Sequence, residues 1–239
     1  MSRVLITGDS HIGALKRAQN LGNDTRIAEL DFLRLGEGYV SRLDFFAVDT
    51  VANEVRVTHP EWTNHSFSNR TLNKDEDHQL LVVSLPINSS RILRDCSWQR
   101  HVPWRLKKKP AEAPLSDALI DAIIEQDCGK SLDFIAALST VGVKVAVLEG
   151  PRFFEHARYL KAKRLDVCLD IEHRCRDYAT KRLNAIGVDV ISQPKATIST
   201  IGTTHADFRH ENPKDRHHAN VEFGRLACHA VLDYADSLH

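Results

Sequence analysis

Ser10 lies at the junction between a short apolar segment and a helical pattern near the start of the chain. Residues 4–8 are largely apolar and end at Gly8, and from Ile12 onward the apolar residues recur with helical spacing. A serine at such a junction sits at the carboxyl end of a strand, beside helix amides that favour a developing negative charge. The sequence therefore predicts Ser10 as a candidate nucleophile, with helix capping as the structural alternative.

A base for this serine is available near the other end of the chain, in Asp215-Arg216-His217-His218. Asp215 precedes His218 by three residues at the start of a predicted terminal helix, so its carboxylate can hold the imidazole in one tautomer. The free ring nitrogen can then accept a proton from a serine hydroxyl. The two segments together predict a serine that an imidazole activates as a nucleophile.

Gly8-Asp9-Ser10-His11 and Asp215-x-x-His218 resemble the SGNH (GDSL-like) hydrolase superfamily. The resemblance implies that Ser10 is the nucleophile and that Asp215 and His218 complete a catalytic triad. His217 is the alternative base, but His218 has the spacing of the family. His11 replaces the more usual leucine of the motif, and we expect it either to line the substrate pocket or to be an exposed helix residue.

Two further segments are candidates for the oxyanion hole, together with the amide of Ser10. Gly36 and Gly38 lie in one loop. A glycine in this loop either allows a turn with positive φ or donates its backbone amide to the oxyanion. The resemblance implies an amide donor here, and we expect Gly36 rather than Gly38. Asn88 follows a buried strand, and its side-chain amide can donate to an oxyanion, as an asparagine does in the family. The family's usual glycine before this asparagine is absent, and a turn-forming asparagine is the alternative.

Substrate contacts are expected from the loop that follows the predicted strand at 143–149. A proline-containing loop at this point shapes the substrate entrance in the SGNH family, and Pro151 occupies that position here. The resemblance thus implies Arg152 and Phe153 as pocket residues. The alternative is a turn that leads into the next helix.

Histidines crowd the segment 205–218, which makes a metal site a competing hypothesis. No helical His-x-x-x-His pair or other recognised ligand spacing is present in the sequence. We therefore expect a solvated histidine-rich loop, with no metal and no cofactor.

Short apolar segments alternate with helical patterns along the chain, which predicts a parallel α/β sheet. We expect a single domain over residues 1–239, with a flavodoxin-like three-layer sandwich and about five central strands. A β-hairpin insertion is predicted at 44–58 because polar and apolar residues alternate there. The predicted strands are 4–8, 25–30, 80–85, 143–149 and 187–191, and the predicted helices are 11–21, 115–140 with a break at Gly129, 155–185 and 219–237.

Composition excludes several classes of function. The chain has 239 residues, no formal net charge, 42% hydrophobic and 27% charged residues, which is typical of a globular protein without a nucleic-acid or membrane footprint. No apolar segment has the length of a membrane span or the pattern of a signal peptide. The five cysteines lack metal or redox spacing. We expect a cytoplasmic protein with reduced thiols and no nucleic-acid or membrane partner.

The expected function is that of a serine esterase acting on an oxygen ester through an acyl-serine, with acetyl as the expected acyl group. A small molecule or an acylated carbohydrate is the expected substrate. Capture of the acyl group by a sugar hydroxyl would make the protein a carbohydrate O-acyltransferase instead. A third hypothesis is a non-catalytic binding module on the same fold. The sequence does not predict the oligomeric state.

Overall fold

Five parallel strands form the central sheet of the computed structural model, which describes residues 4–22, 24–63, 71–74, 78–155, 157–215 and 217–238. The strands in chain order are β1 (Val4–Gly8), β2 (Leu30–Arg34), β3 (Phe46–Asp49), β4 (Glu54–Val57), β5 (Thr71–Leu72), β6 (Leu80–Ser84), β7 (His101–Pro103), β8 (Ala113–Leu115), β9 (Val145–Leu148) and β10 (Asp189–Ile191). The helices are α1 (Gly13–Asn20), α2 (Pro60–Thr63), α3 (Ser90–Arg94), α4 (Asp117–Thr140), α5 (Leu165–Ala185) and α6 (Val221–Asp236). The central sheet has the order β10-β9-β6-β1-β2.

Helices cover both faces of this sheet because its central strands are apolar on both sides. Val4 and Ile6 of β1 pack in one buried cluster with residues of α1 and α6, whereas Leu5 packs in a second cluster with residues of α4 and α5. The strand order is the one found in flavodoxin-like sheets. The predicted fold class, an α/β three-layer sandwich with five parallel strands, is confirmed.

The predicted β-hairpin insertion is also present. β3 and β4 pair in antiparallel fashion, and Asn53 adopts a positive φ of 54° in the turn between them. The short strand β5 adds a third member to this small sheet. Residues 64–70 and 75–77 of the polar segment that follows the hairpin lie outside the described residues.

Three predicted boundaries were wrong. The second strand is Leu30–Arg34 instead of 25–30, because pairing in register with β1 sets Leu30 opposite Val4 and the residues before it form a 3₁₀ turn. Gly129 does not break α4, since burial of the helix outweighs the modest cost of a helical glycine. The helix predicted from residue 155 begins only at Leu165.

Two structural facts bear on the environment of the chain. Among the described residues, no helix combines the length and the apolar character that crossing a membrane requires. All five cysteines are free; Cys96 is exposed and the other four are buried.

Candidate functional site

The turn after β1 fixes the position of Ser10. Gly8 ends the strand where an added Cβ would lie 2.5 Å from the carbonyl oxygen of Ser84, so only glycine fits beside β6. Asp9 is buried, and its Oδ1 accepts a hydrogen bond of 2.9 Å from the amide of His11. This bond caps a short 3₁₀ helix that begins at Ser10. Asp9 thus supports the turn that presents the serine.

Ser10, His218 and Asp215 form a continuous hydrogen-bonded chain. Nε2 of His218 lies 2.7 Å from Oγ of Ser10, and Nδ1 of His218 lies 2.8 Å from Oδ2 of Asp215. The other carboxylate oxygen, Oδ1, accepts hydrogen bonds from the backbone amides of His217 and His218, at 3.2 and 3.0 Å. A ring nitrogen at 2.7 Å from a hydroxyl oxygen is within reach for proton transfer.

Asp215 carries its charge at neutral pH. Burial acts to raise the pKa of this carboxyl, but it is outweighed by the amide and ring hydrogen bonds from His218 and the amide hydrogen bond from His217, so the pKa lies well below the ordinary value. A carboxylate bonded to Nδ1 places the ring proton on that nitrogen, and Nε2 is then the acceptor that faces Ser10.

The crossing of α1 and α6 brings these residues together from opposite ends of the chain. Gly224 of α6 approaches Ala14 of α1 so closely that an added Cβ would lie 2.1 Å from the Ala14 carbonyl oxygen. Arg17 of α1 donates a hydrogen bond of 2.7 Å to the carbonyl of Ala219, the residue after His218. Asn220 caps α6 by accepting from the amide of Phe223 at 3.0 Å. The packing of two helices therefore sets the distance between serine and imidazole.

A cavity of about 550 Å³ opens beside this chain of residues. Polar and charged side chains and one glycine line it: Asp9, Ser10, His11, Arg34, Glu37, Gly38, Tyr39, Arg42, Asn88, Ser90, Arg91, Arg94, His217 and His218. His11 thus lies in the cavity wall, which is one of the two positions predicted for it. Gly38 lines the cavity and Gly36 does not.

Gly36, Gly38 and Asn88 occupy different positions with respect to Ser10. Gly36 has a positive φ of 129°, which glycine adopts without strain, so the conformation of the turn accounts for a glycine at this position. At Gly38 an added Cβ would lie 2.5 Å from Oδ2 of Asp9, so the backbone approaches the serine turn closely. Oδ1 of Asn88 accepts from the amide of Ser90 at 3.0 Å, and Asn88 lines the cavity, so the side-chain NH₂ group is the donor that this residue can offer a ligand.

Arg152 and Phe153 lie away from this cavity, so their predicted placement in the pocket was wrong. Phe153 is 2% exposed and packs in the hydrophobic core. The backbone amide of Arg152 donates to Gln193 at 2.9 Å, and its carbonyl accepts from the hydroxyl of Thr204 at 2.8 Å. The loop is turned toward the last strand of the sheet and its following segment, which removes both residues from the mouth of the site.

His11, His217 and His218 form a cluster in which one ligand atom of each lies within 4.8 Å of the others. Burial, helped by neighbouring histidine and arginine charges, lowers the pKa of His11 and of His217 to about 4, so both rings are neutral at pH 7. Nδ1 of His11 is buried without a hydrogen-bond partner among the described residues. Three imidazoles could hold a transition metal, but both nitrogens of His218 are already engaged by Asp215 and Ser10.

The arginines of the site were not among the residues predicted from the sequence. Nε and Nη2 of Arg91 donate to the two carboxylate oxygens of Asp127 at 3.1 and 3.2 Å, and Nη1 donates to the carbonyl of Gly38 at 2.9 Å. Arg91 thereby ties the Gly38 loop to α4. Arg42 and Arg94 also line the cavity. The signal was the spacing of Arg91 and Arg94, three residues apart on one face of the helix after Asn88.

Comparison with known proteins shows the fold. No family model matches the chain, and no curated protein matches its sequence. A GDSL-like lipase from Bacteroides thetaiotaomicron has a similar structure, with a TM-score of 0.53 at 10% identity over 100% of this chain and 89% of that one. A candidate acylhydrolase from Bacteroides fragilis gives a TM-score of 0.52 at 11% identity, over 99% and 88% of the two chains. The chain has the fold of the GDSL-like, or SGNH, hydrolases.

Proposed function

We propose that this protein is an SGNH-type serine esterase that cleaves an oxygen ester through an acyl-serine intermediate. The observation that carries the proposal is the hydrogen-bonded chain from Ser10 through His218 to Asp215, with Ser10 at the wall of an open cavity. A serine hydroxyl is a weak nucleophile unless a base takes its proton, and an imidazole held by a carboxylate supplies that base.

In the proposed reaction Oγ of Ser10 attacks the ester carbonyl carbon while Nε2 of His218 accepts the hydroxyl proton. The imidazolium then donates this proton to the departing alcohol oxygen, and the acyl group stays on Ser10. Water, deprotonated by Nε2 of His218, attacks the acyl-serine, and the imidazolium then returns this proton to Oγ of Ser10 as the carboxylic acid leaves. Asp215 stabilises the imidazolium throughout and keeps its negative charge.

The oxyanion formed in both steps needs hydrogen-bond donors that are already in place. We assign this role to the amide of Ser10, the side-chain NH₂ of Asn88 and the amide of Gly38. Gly38 takes the place of Gly36 in this assignment because it lies in the cavity wall. Loss of one such donor reduces transition-state stabilisation by about 3–4 kcal/mol.

The wall of the cavity favours a short acyl group on a polar alcohol. No leucine, isoleucine, valine, methionine or phenylalanine is among the described residues that line it. A fatty acyl chain would gain little from such a surface, because binding energy for hydrocarbon comes from the burial of apolar area. An acetyl group on a carbohydrate fits this surface, since sugar hydroxyls can bond to the many donors and acceptors of the wall.

Activity toward a series of p-nitrophenyl esters, from acetate to octanoate, tests this proposal. We expect hydrolysis that falls as the acyl chain lengthens, with release of acetate from acetylated sugars. Ser10→Ala should abolish both activities, and the exposed Ser237→Ala should retain them. Activity that rises toward octanoate would contradict the assignment of a short acyl group, and activity retained in Ser10→Ala would contradict the mechanism.

The same acyl-serine could pass its acyl group to a sugar hydroxyl instead of water. Product analysis in the presence of a free sugar separates the two reactions, since an O-acyltransferase forms an acetylated sugar at the expense of free acetate. A protein that binds acetylated sugars without forming an acyl-serine would be a binding module on this fold.

A further inference from the structure

The cavity beside Ser10 has more positive than negative side chains in its wall. Arg34, Arg42, Arg91 and Arg94 line it, whereas its acidic residues are Asp9 and Glu37. Four guanidinium groups around a space of about 550 Å³ create a positive potential that would attract an anionic ligand. The ion pairs of the wall show which of these charges are free to act on a ligand.

Two of the four arginines are neutralised by neighbouring carboxylates. Arg91 forms a two-pronged pair with Asp127 and lies 3.8 Å from the second carboxylate oxygen of Asp9. Its side chain is 10% exposed, so this pairing is largely screened from water. Arg34 pairs with Glu37 at 3.3 Å. These two pairs leave little net charge on that part of the wall.

Arg94 and Arg42 have no such partner among the described residues. Neither forms an ion pair with a carboxylate among the residues that the structure describes, and both are exposed. Nε of Arg94 donates to the carbonyl of Ser90 at 3.2 Å, which anchors the guanidinium and leaves its terminal nitrogens as donors. Arg42 ends the short 3₁₀ helix Gly38–Arg42, one turn after Tyr39, which also lines the cavity.

Arg94 lies on the histidine side of the cavity. Arg94 lines the same cavity wall as His11 and His217, and its charge contributes to the lowered pKa of both rings. His217 stacks on His218 with a centroid distance of 4.0 Å. In the proposed reaction His218 protonates the departing alcohol, so the part of a substrate that lies nearest Arg94 is its alcohol portion.

We propose that Arg94, assisted by Arg42, binds an anionic group, a carboxylate or a phosphate, on the alcohol portion of the ester substrate. The inference rests on the proposed esterase function and adds the chemical class of its substrate. Arginine is suited to this role because its planar fork donates two parallel hydrogen bonds to a carboxylate or phosphate. An acetylated sugar acid or sugar phosphate combines this anion with the short acyl group.

Two matched pairs of esters test the proposal. The first pair carries the charge on the alcohol side: p-acetoxybenzoate against its neutral methyl ester, with p-acetoxyphenyl phosphate as the phosphate probe. The second pair carries it on the acyl side: p-nitrophenyl hydrogen succinate against p-nitrophenyl methyl succinate. The quantity measured is the ratio of kcat/KM for the anionic ester to kcat/KM for its neutral partner. This ratio is compared between the wild type and each variant, because the difference in intrinsic reactivity between the two esters is the same for every protein.

We expect the ratio for the alcohol-side pair to fall by about tenfold or more in Arg94→Gln, mainly through KM, and by a smaller factor in Arg42→Gln. Arg94→Lys should retain part of the ratio, because it keeps the charge and loses the fork. Arg100→Gln, at an exposed arginine outside the cavity wall, should leave the ratio unchanged. Added salt should reduce the ratio in the wild type more than in Arg94→Gln.

A ratio that is the same in the wild type and in Arg94→Gln would overturn the proposal, and so would a dependence on Arg94 confined to the acyl-side pair. Calorimetric binding of p-hydroxybenzoate, the product of the anionic ester, separates this proposal from the esterase function because it requires no turnover. Binding that depends on Arg94 in a protein without esterase activity would support the anion site and reject the esterase. Normal hydrolysis, together with p-hydroxybenzoate binding that does not depend on Arg94, would support the esterase and reject the anion site.

Discussion

Gly224 of α6 packs directly on the backbone of Ala14 in α1, with no room for a side chain between them. An added Cβ would lie 2.1 Å from the Ala14 carbonyl oxygen and 2.8 Å from the Leu15 amide nitrogen. Ala14 follows Ser10 by one helical turn, and Gly224 lies six residues after His218. The close approach of these two helices is therefore the structural basis of the 2.7 Å distance between Ser10 and His218.

Gly224→Ala should destabilise the protein and lower turnover together. The added methyl group would clash with the backbone of α1, and no rotamer change can relieve a clash with backbone atoms. We therefore expect the free energy of unfolding to fall by about 3 kcal/mol or more. Displacement of α6 would also move His218 from Ser10 and reduce kcat. Urea unfolding and steady-state kinetics on the purified variant measure the two effects.

Gly129→Ala in α4 is the matched control. There the added Cβ would meet the carboxylate end of the flexible Glu125 side chain at 2.8 Å. Alanine is favoured over glycine within a helix by about 1 kcal/mol, so this variant should be close to the wild type in stability. Equal effects of Gly224→Ala and Gly129→Ala would contradict the proposed role of the helix crossing.

His218 and His217 should differ strongly when each is replaced. His218→Ala removes the proposed general base and should reduce kcat by at least about 10³-fold. Asp215→Asn should cause a large but less complete loss, because the imidazole then loses its charged partner. His217→Ala should change kcat by less than about tenfold, since its ring packs against His11 and His218 and transfers no proton in the proposed reaction. The kcat of each variant on p-nitrophenyl acetate measures these effects. An inactive His217→Ala together with an active His218→Ala would contradict the assignment of His218 as the base.

Stability should fall as the pH is lowered through the range from 6.5 to 4. Burial holds the pKa of His11 and His217 at about 4 in the folded protein, against an ordinary value of 6.5. The unfolded chain therefore binds protons in this range that the folded chain does not, so the free energy of unfolding decreases by up to about 1.4 kcal/mol per pH unit for each ring. Denaturant unfolding at a series of pH values measures the slope.

The variant that tests this slope is His11→Gln combined with His217→Gln. We expect a flatter dependence than that of the wild type between pH 6.5 and 4. Between pH 7 and 9 both rings are neutral in either state, so there the two curves should run parallel, whatever the difference in their absolute stability. The same slope in both proteins below pH 6.5 would contradict the burial of neutral histidines.

Chelation of metals should leave the hydrolysis rate unchanged. Both ring nitrogens of His218 are engaged, one by Asp215 and one by Ser10, so the proposed mechanism gives a metal no part in the reaction. Hydrolysis of p-nitrophenyl acetate before and after dialysis against EDTA provides the test. A loss of activity that added zinc restores would indicate that the cluster with His11 and His217 holds a catalytic metal.

The sequence was most informative where local chemistry and periodicity agree. The spacing of Asp215 and His218 is local, so the bond between carboxylate and imidazole follows from three residues of chain. The strand and turn around Ser10 are equally local. Ser10 and His218 lie 208 residues apart in the chain. Their contact depends on how α1 and α6 cross, so the resemblance predicted it and no local pattern did.

Features that depend on tertiary packing were missed or misplaced. Phe153 was predicted as a pocket residue from the resemblance, because it follows the proline-containing loop, but the direction of that loop places it in the core. The role of Arg91 depends on Asp127 in α4, which no local pattern connects to it. The edge strand β2 has a weak apolar pattern because it pairs with a neighbour on one side only, and that weakness shifted its predicted boundaries.

The central claim, that Ser10 forms an acyl-enzyme, is tested most directly by rapid mixing with p-nitrophenyl acetate followed by intact-mass analysis. We predict a burst of about one equivalent of p-nitrophenol and a mass increase of one acetyl group in the wild type, with the adduct mapped to Ser10 and absent from Ser10→Ala. An adduct of the same mass in Ser10→Ala, or turnover without any acylation of Ser10, would contradict the account.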